Sequence, residues 1–327
     1  MNFWKRLTVP AVLLLAVLAS PAAAERPLLT IGVLKFGTAT WELDTIRANR
    51  LDEEGGFALK LVELASNQAT QVALQAKAVD MIVTDYLWVA RQRAAGEALS
   101  FLPHSSAVGT LMVPASSPIK DVADLRGRRL GVAGTPLDKS WLLLKAYARE
   151  RHGLDLEAES RPAFAAPPLL NQKVASGELD AVLNFWPYAA RLEAQGMRAV
   201  IGVDELMRGL GAKVAVPAVG FTFREEWAKA NPTLLAGFAT ASEKAKRILA
   251  TSDAAWERLR PIMQAEDGAT WTRLRDRYRA GIPAHWGDAE RAEGAALYAL
   301  LAKLGGRELV GDAPTLPEGT FWPSVRY

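Results

Sequence analysis

Short apolar runs that recur between longer amphipathic stretches restrict this chain to an alternating α/β architecture. LLTIGVL (Leu28 to Leu34) reads as a buried strand, and FALKLVEL (Phe57 to Leu64) alternates apolar and polar residues like a second. QATQVALQAKAV (Gln68 to Val79) sets Val72, Leu74, Ala76 and Val79 near one helical face, and DMIVTDY (Asp80 to Tyr86) follows as a third strand. Strand, helix and strand at these lengths imply a parallel sheet, because a crossover helix lets the next strand run the same way. RRLGVAG (Arg128 to Gly134), a Leu-rich helical stretch, an extended piece and ELDAVLNFW (Glu178 to Trp186) repeat the theme. After Gly220 helix dominates, over 224–231, 232–251, 253–266, 270–281 and 288–304, and 305–327 is a Gly/Pro-punctuated closing segment.

Two such units fit 327 residues at about 100 to 200 per domain. The chain is expected to cross between them twice, at Thr110 to Asp121 and at Val216 to Glu225, where Pro114, Pro118 and Pro217 disfavour helix. Lobe 1 is then residues 25–114 plus 219–327, and lobe 2 residues 115–218.

The N-terminus, MNFWKRLTVPAVLLLAVLASPAAAERP, has a basic Lys5-Arg6 start, an apolar core from Leu7 to Ala19, and alanines at 22 and 24 with the spacing of a signal-peptidase site. The core is short for a bilayer, which takes about 20 residues. A signal peptide over 1–24, cleaved near Ala24, and a periplasmic location are expected. The chain contains no cysteine, which removes a lipid anchor, disulfides, thiolate metal sites and cysteine nucleophiles. Net charge is +3 overall and +1 after Ala24, so electrostatics give no reason to expect nucleic acid as a partner.

Four segments together resemble a known family: IGVLKFGTATWELDTIRANRLDEEGGFALKLVEL, VALQAKAVDMIVTDY, IKDVADLRGRRLGVAGTPLDKSWLLLKAYARERHGLDL and VASGELDAVLNFWPYAARLEA. Their order resembles the nitrate-, sulfonate- and taurine-type periplasmic solute-binding proteins that feed ABC importers. The resemblance implies a type II periplasmic-binding-protein fold, α/β and two-lobed, with two mixed sheets flanked by helices and two inter-lobe crossings. It implies a small-molecule ligand held by lobe closure, a permease and an ATPase on separate chains, a monomeric receptor, and no cofactor. The related thiamine-pyrimidine synthases use a cysteine-rich motif, which this chain cannot supply.

In open α/β sheets, ligands bind beyond the carboxyl ends of the strands, so the residues after each strand are the candidate binding residues. After the first strand come Lys35, a charge for the ligand, and Trp41, a wall; after the second, Ser66, Asn67 and Gln68; after the third, Asp85 and Tyr86. In the other lobe the candidates are Thr135, Asp138, Asn184, Trp186 and Tyr188. Aromatics beside a few polar groups match the make-up of small-molecule pockets. Trp41 and Trp186 read equally as packing at strand ends, and Asp85 as a helix cap.

GVAGTPLDKS has the look of a phosphate loop, but that motif needs glycine where Asp138 stands, and Pro136 removes an amide the cradle would use. It reads instead as a helix start with Thr135 as N-cap, Pro136 at N1 and Asp138 completing a capping box, ended by His152-Gly153. Such a helix terminus suits a small anion, whereas Asp138 argues against a strongly anionic ligand on that turn.

His104, His152 and His285 form no metal-ligand pattern, and no metal site is expected. No nucleophile elbow is present. The reading is a non-catalytic receptor that captures a small organic solute, a sulfonate, zwitterion or small aromatic. Two alternatives remain: a periplasmic lyase using Asp85 or Asp138 as acid or base, and a ligand sensor on the same fold.

Overall fold

The computed structural model describes residues 26–214 and 216–326, so the expected signal segment lies outside the described residues. In chain order, β1 (Leu28–Leu34) leads through α1 (Ala39–Ala48) and α2 (Leu51–Glu54) to β2 (Ala58–Leu64), then α3 (Asn67–Gln75), β3 (Met81–Asp85), α4 (Tyr86–Ala94) and β4 (Leu99–Ser105). A second unit contains β5 (Gly109–Val113), β6 (Arg129–Ala133), α5 (Lys139–His152), α6 (Leu156–Glu159), β7 (Arg161–Ala165), α7 (Pro167–Ala175), β8 (Ala181–Phe185), α8 (Trp186–Ala194), β9 (Arg198–Gly202) and α9 (Val203–Gly209). The chain ends with β10 (Val219–Arg224), α10 (Glu225–Ala230), α11 (Pro232–Thr251), α12 (Asp253–Met263), α13 (Gly268–Ala280) and α14 (Asp288–Val310).

These strands form two five-stranded mixed sheets, ordered β2-β1-β3-β10-β4 and β7-β6-β8-β5-β9. β1 is parallel to β2 and β3, and its Ile31 and Val33 are buried, as befits an inner strand covered by helices on both faces. β6 is likewise parallel to β7 and β8. Each sheet also holds one strand antiparallel to both its neighbours: β10 between β3 and β4, and β5 between β8 and β9. In each case it is the strand that the chain delivers on arriving from the other unit.

This pairing moves the first crossing. GTLMV, expected at the start of the crossing and inside lobe 1, is wholly buried as an inner strand of the second sheet, and the chain passes between the sheets at residues 106–108. Pro114 ends that strand; it does not open the crossing. The return crossing precedes β10, within the expected region.

The helical C-terminal third does not stay with the first sheet alone. α11 buries Phe238, Ala241 and Ala245 against Leu43 and Ile46 of α1, while α13 lies along α8 of the second unit. There Arg277 forms a two-pronged ion pair with Glu193 at 2.9 and 3.1 Å and donates to Thr110 Oγ1 at 3.2 Å. Arg191 reciprocates, donating to the carbonyl oxygens of Met263 and Gln264 at 2.8 Å. α14 continues past the expected break at Gly305 to Val310 through a non-helical Gly306, and the buried Tyr298 hydroxyl donates to the Val310 carbonyl at 2.8 Å. Among the described residues, no helix is long and apolar enough to cross a membrane.

Candidate ligand cleft

The carboxyl ends of the parallel strands of both sheets converge on one cleft with two chambers. The inner chamber, of 110 Å3, is walled by Leu34, Phe36, Val83, Val108, Trp186 and Tyr188, with polar groups from Asp85, His104, Ser105 and Lys139. The outer chamber, of 400 Å3, adds Ser66, Gln68, Gln71, Arg91, Thr135 and Asp138. Asn67, Asp85, Phe36 and Phe185 border both, so the two chambers adjoin. Phe36 of the first unit meets Tyr188 of the second edge-to-face at 6.2 Å, narrowing the cleft from either side.

The local geometry follows from how each helix starts. Ser66 caps α3 by accepting from the Ala69 amide at 3.1 Å, and Asp85 caps α4 by accepting from Trp88 at 2.7 Å through Oδ1. α5 begins later than expected. Gly134 adopts φ +91°, a left-handed value that glycine tolerates, and turns the chain so that Asp138 becomes the N-cap, accepting from Ser140 at 2.8 Å. Thr135, expected as the cap, stays in the turn and accepts from Leu137 at 3.3 Å. The register change places Lys139 on the first turn of α5, in the wall of the inner chamber. Gly153 at φ +59° ends α5 as the sequence implies.

Lys139 is a cleft residue that the sequence presents only as part of a failed phosphate loop. It is 7 % exposed, and among the described residues its ammonium makes no hydrogen bond. The Asp138 carboxylate lies at a loose 3.9 Å, and the Phe185 ring stands 5.3 Å beneath the nitrogen. Burial pushes the Asp138 carboxyl up; Lys139 pulls it back, and neighbouring Asp85 pushes it further up.

Of the candidates, Ser66, Asn67, Gln68, Asp85, Thr135, Asp138, Trp186 and Tyr188 border the cleft. Four do not. Lys35 is exposed at the end of β1, and Phe36 takes the wall position. Trp41 is buried in an aromatic cluster, its ring 5.9 Å from Trp186, 5.8 Å from Trp256 and 5.7 Å from Tyr278. Tyr86 turns into the core against Phe101 and Phe321. Asn184 is spent internally, donating to the Pro167 carbonyl at 3.0 Å and to Asn171 at 2.8 Å. Residue identity after a strand could not separate these fates, because whether a given position faces the cleft or the core is set by how the following helix packs.

A family model described as NMT1/THI5 like matches residues 53–253, more than half of the chain. This chain belongs to that family. The NMT1/THI5-like segment covers β2 through α11 and so carries most of the cleft walls. Solved structures extend the likeness to the rest of the fold. The alkanesulfonate-binding protein SsuA from Xanthomonas axonopodis pv. citri, bound to MOPS, is 20 % identical with a TM-score of 0.71, over 92 % of this chain and 100 % of that one. The periplasmic aliphatic sulphonate binding protein SsuA from Escherichia coli is 19 % identical with a TM-score of 0.70, over 90 % and 92 %. The desulfurization enzyme DSZB is 17 % identical with a TM-score of 0.59, over 91 % and 97 %. They confirm the two-lobed architecture for this NMT1/THI5-like chain. No curated protein sequence shows significant similarity to it.

Proposed function

We propose that this protein is a periplasmic solute-binding protein that captures a small organic acid between its lobes and delivers it to an ABC importer, whose permease and ATPase are other chains. The buried Lys139 ammonium, facing the inner chamber without a hydrogen-bond acceptor, carries this reading. A mostly buried ammonium whose one ion pair, to Asp138, is loose at 3.9 Å leaves hydrogen-bond donors for an acidic group on the solute to meet. Phe36, Phe185, Trp186 and Tyr188 supply the apolar enclosure for the solute's carbon frame. Walls drawn from both units make binding favour closure about the two crossings. The sulfonate-binding structures that share the fold support a sulfonate as the first solute to try.

A thermal-shift screen of the mature protein against sulfonates, amino-sulfonates, nitrate, pyrimidines and small aromatic acids tests the proposal. A solute that binds the folded form raises the midpoint with concentration, by about 2.7 kcal/mol of stabilisation at a hundred times Kd. Lys139→Met is expected to abolish the shift for acidic solutes; retention of the shift would remove Lys139 from the site. A catalytic reading is favoured by one observation, the likeness to a desulfurization enzyme. Conversion of a bound solute in a mass-spectrometric time course would establish that reading, and recovery of the solute unchanged would exclude it for that compound.

A further inference from the structure

We infer that His104 is a specificity-determining ligand contact whose ring nitrogen Nε2 accepts a hydrogen bond, so that the captured acid carries an N–H or O–H donor as well as its anionic group. This deepens the capture reading and rests on it. A buried ionic network lies below the cleft. Glu42 of α1 is completely buried, and Ser242 and Lys246 of α11 donate to its Oε1 at 2.6 and 3.0 Å. The Tyr278 hydroxyl of α13 reaches Oε2 at 3.5 Å. Burial would push this carboxyl up, but Lys246 first, then a charged His104 ring and the Ser242 hydrogen bond, outweigh it and hold it at about 2; when the ring is neutral, Lys246 and Ser242 still favour the ionised form. Glu42 is therefore ionised wherever the protein is folded near neutrality, and an ionised carboxylate has only lone pairs to offer.

His104 Nδ1 stands 3.0 Å from Glu42 Oε2 without the alignment of a hydrogen bond, and it is buried with no hydrogen-bond partner among the described residues; two bare lone pairs repel at that distance. The hydrogen in that contact must belong to Nδ1. In a neutral imidazole the partner of one nitrogen fixes the role of the other, which leaves Nε2 as a bare acceptor. Nε2 has no partner among the described residues, while the ring is 4 % exposed and lines the inner chamber. Phe221, 5.2 Å away, and Tyr278, at 6.4 Å, fix the ring plane edge-on. The charged groups bordering the same chamber are Lys139 and Asp85. Lys139 and His104 border the same 110 Å3 chamber, so one small molecule held there is placed to reach both. The class that satisfies both is a small sulfonate or carboxylate bearing a hydroxyl or amino group.

The test is nitrogen-15 NMR of the imidazoles at a pH of about 8, above the ordinary histidine range. With three histidines in the chain, His104→Gln assigns the signal. Free protein is expected to show His104 with its hydrogen on Nδ1; a hydrogen on Nε2 overturns the inference. Adding 2-hydroxyethanesulfonate should shift Nε2, and 1-propanesulfonate, which replaces the hydroxyl with a methyl, should not. Calorimetry should give about a tenfold preference for the hydroxyl compound, and His104→Phe should abolish it. An equal response to both compounds, or a preference that survives His104→Phe, overturns the inference. Should that variant not fold, the wild-type tautomer and the paired shifts decide the matter. If neither sulfonate binds, sulfonate capture itself has failed, and the tautomer alone then upholds or overturns the His104 assignment.

Discussion

Single residues decide more here than their types suggest. Asp138 acts as helix cap and chamber wall at once, and its folded-state carboxyl is raised by burial. The folded form therefore holds its proton to higher pH than the unfolded chain, and Asp138 subtracts stability as pH rises through that window. Asp138→Asn keeps a capping oxygen and sheds the charge, so a higher Tm than wild type is expected at pH 7. Asp138→Ala loses the cap as well and should fall below the Asn variant by about 1 kcal/mol in denaturant titration. Glu42 has the opposite sign. Its value drops from 4.5 to about 2 on folding, so its contribution is complete above 4.5 and vanishes as pH falls toward 2. The gap is worth about 3 kcal/mol. Glu42→Gln should be less stable than wild type at pH 7, because Lys246 is left buried without its counter-charge, yet should lose less stability on acidification from 4.5 to 2. Trp41→Ala, which a cleft role would have made a binding variant, should instead destabilise by about 3 to 5 kcal/mol.

At the scale of elements, the parallel strands were legible because their apolar runs are continuous and bounded by turn residues. β4 was not, since LSFLPHS breaks its pattern with Pro103, His104 and Ser105; an edge strand can carry that proline because its outer side is bridged at Phe101 to Phe321 and not by a full neighbouring strand. β5 was read as a connection because a proline follows it. The same limits explain the site. Loop positions after strands pointed to Asn67, Asp85 and Trp186, but Lys139 was hidden by a helix start placed too early. The role of His104 depends on Glu42, whose approach to it only the tertiary fold creates. Between elements, the α8–α13 contact joins the second unit to the C-terminal helices through Arg277 and Arg191. Arg277→Met removes the link to Glu193 and Thr110 and should shift the lobes toward opening, seen as a larger radius of gyration in X-ray scattering of the solute-free protein, with solute restoring the compact value.

At the scale of the molecule, the two units differ in how the chain writes them. The second sheet is one uninterrupted stretch, β5 through β9, whereas the first is assembled from two pieces separated by all of the second. A fragment of residues 106–214 is therefore expected to melt cooperatively in circular dichroism, while residues 26–105 should not. The reason lies in β10. It is an inner strand, and until it arrives β3 and β4 have no partner on the sides that face each other. The last piece to be synthesised is thus the keystone of the first lobe, and closing so long a loop slows its completion. Assembly is expected to run from the middle of the sequence outward, so a chain truncated before residue 219 should hold one protease-resistant lobe and one that limited proteolysis removes.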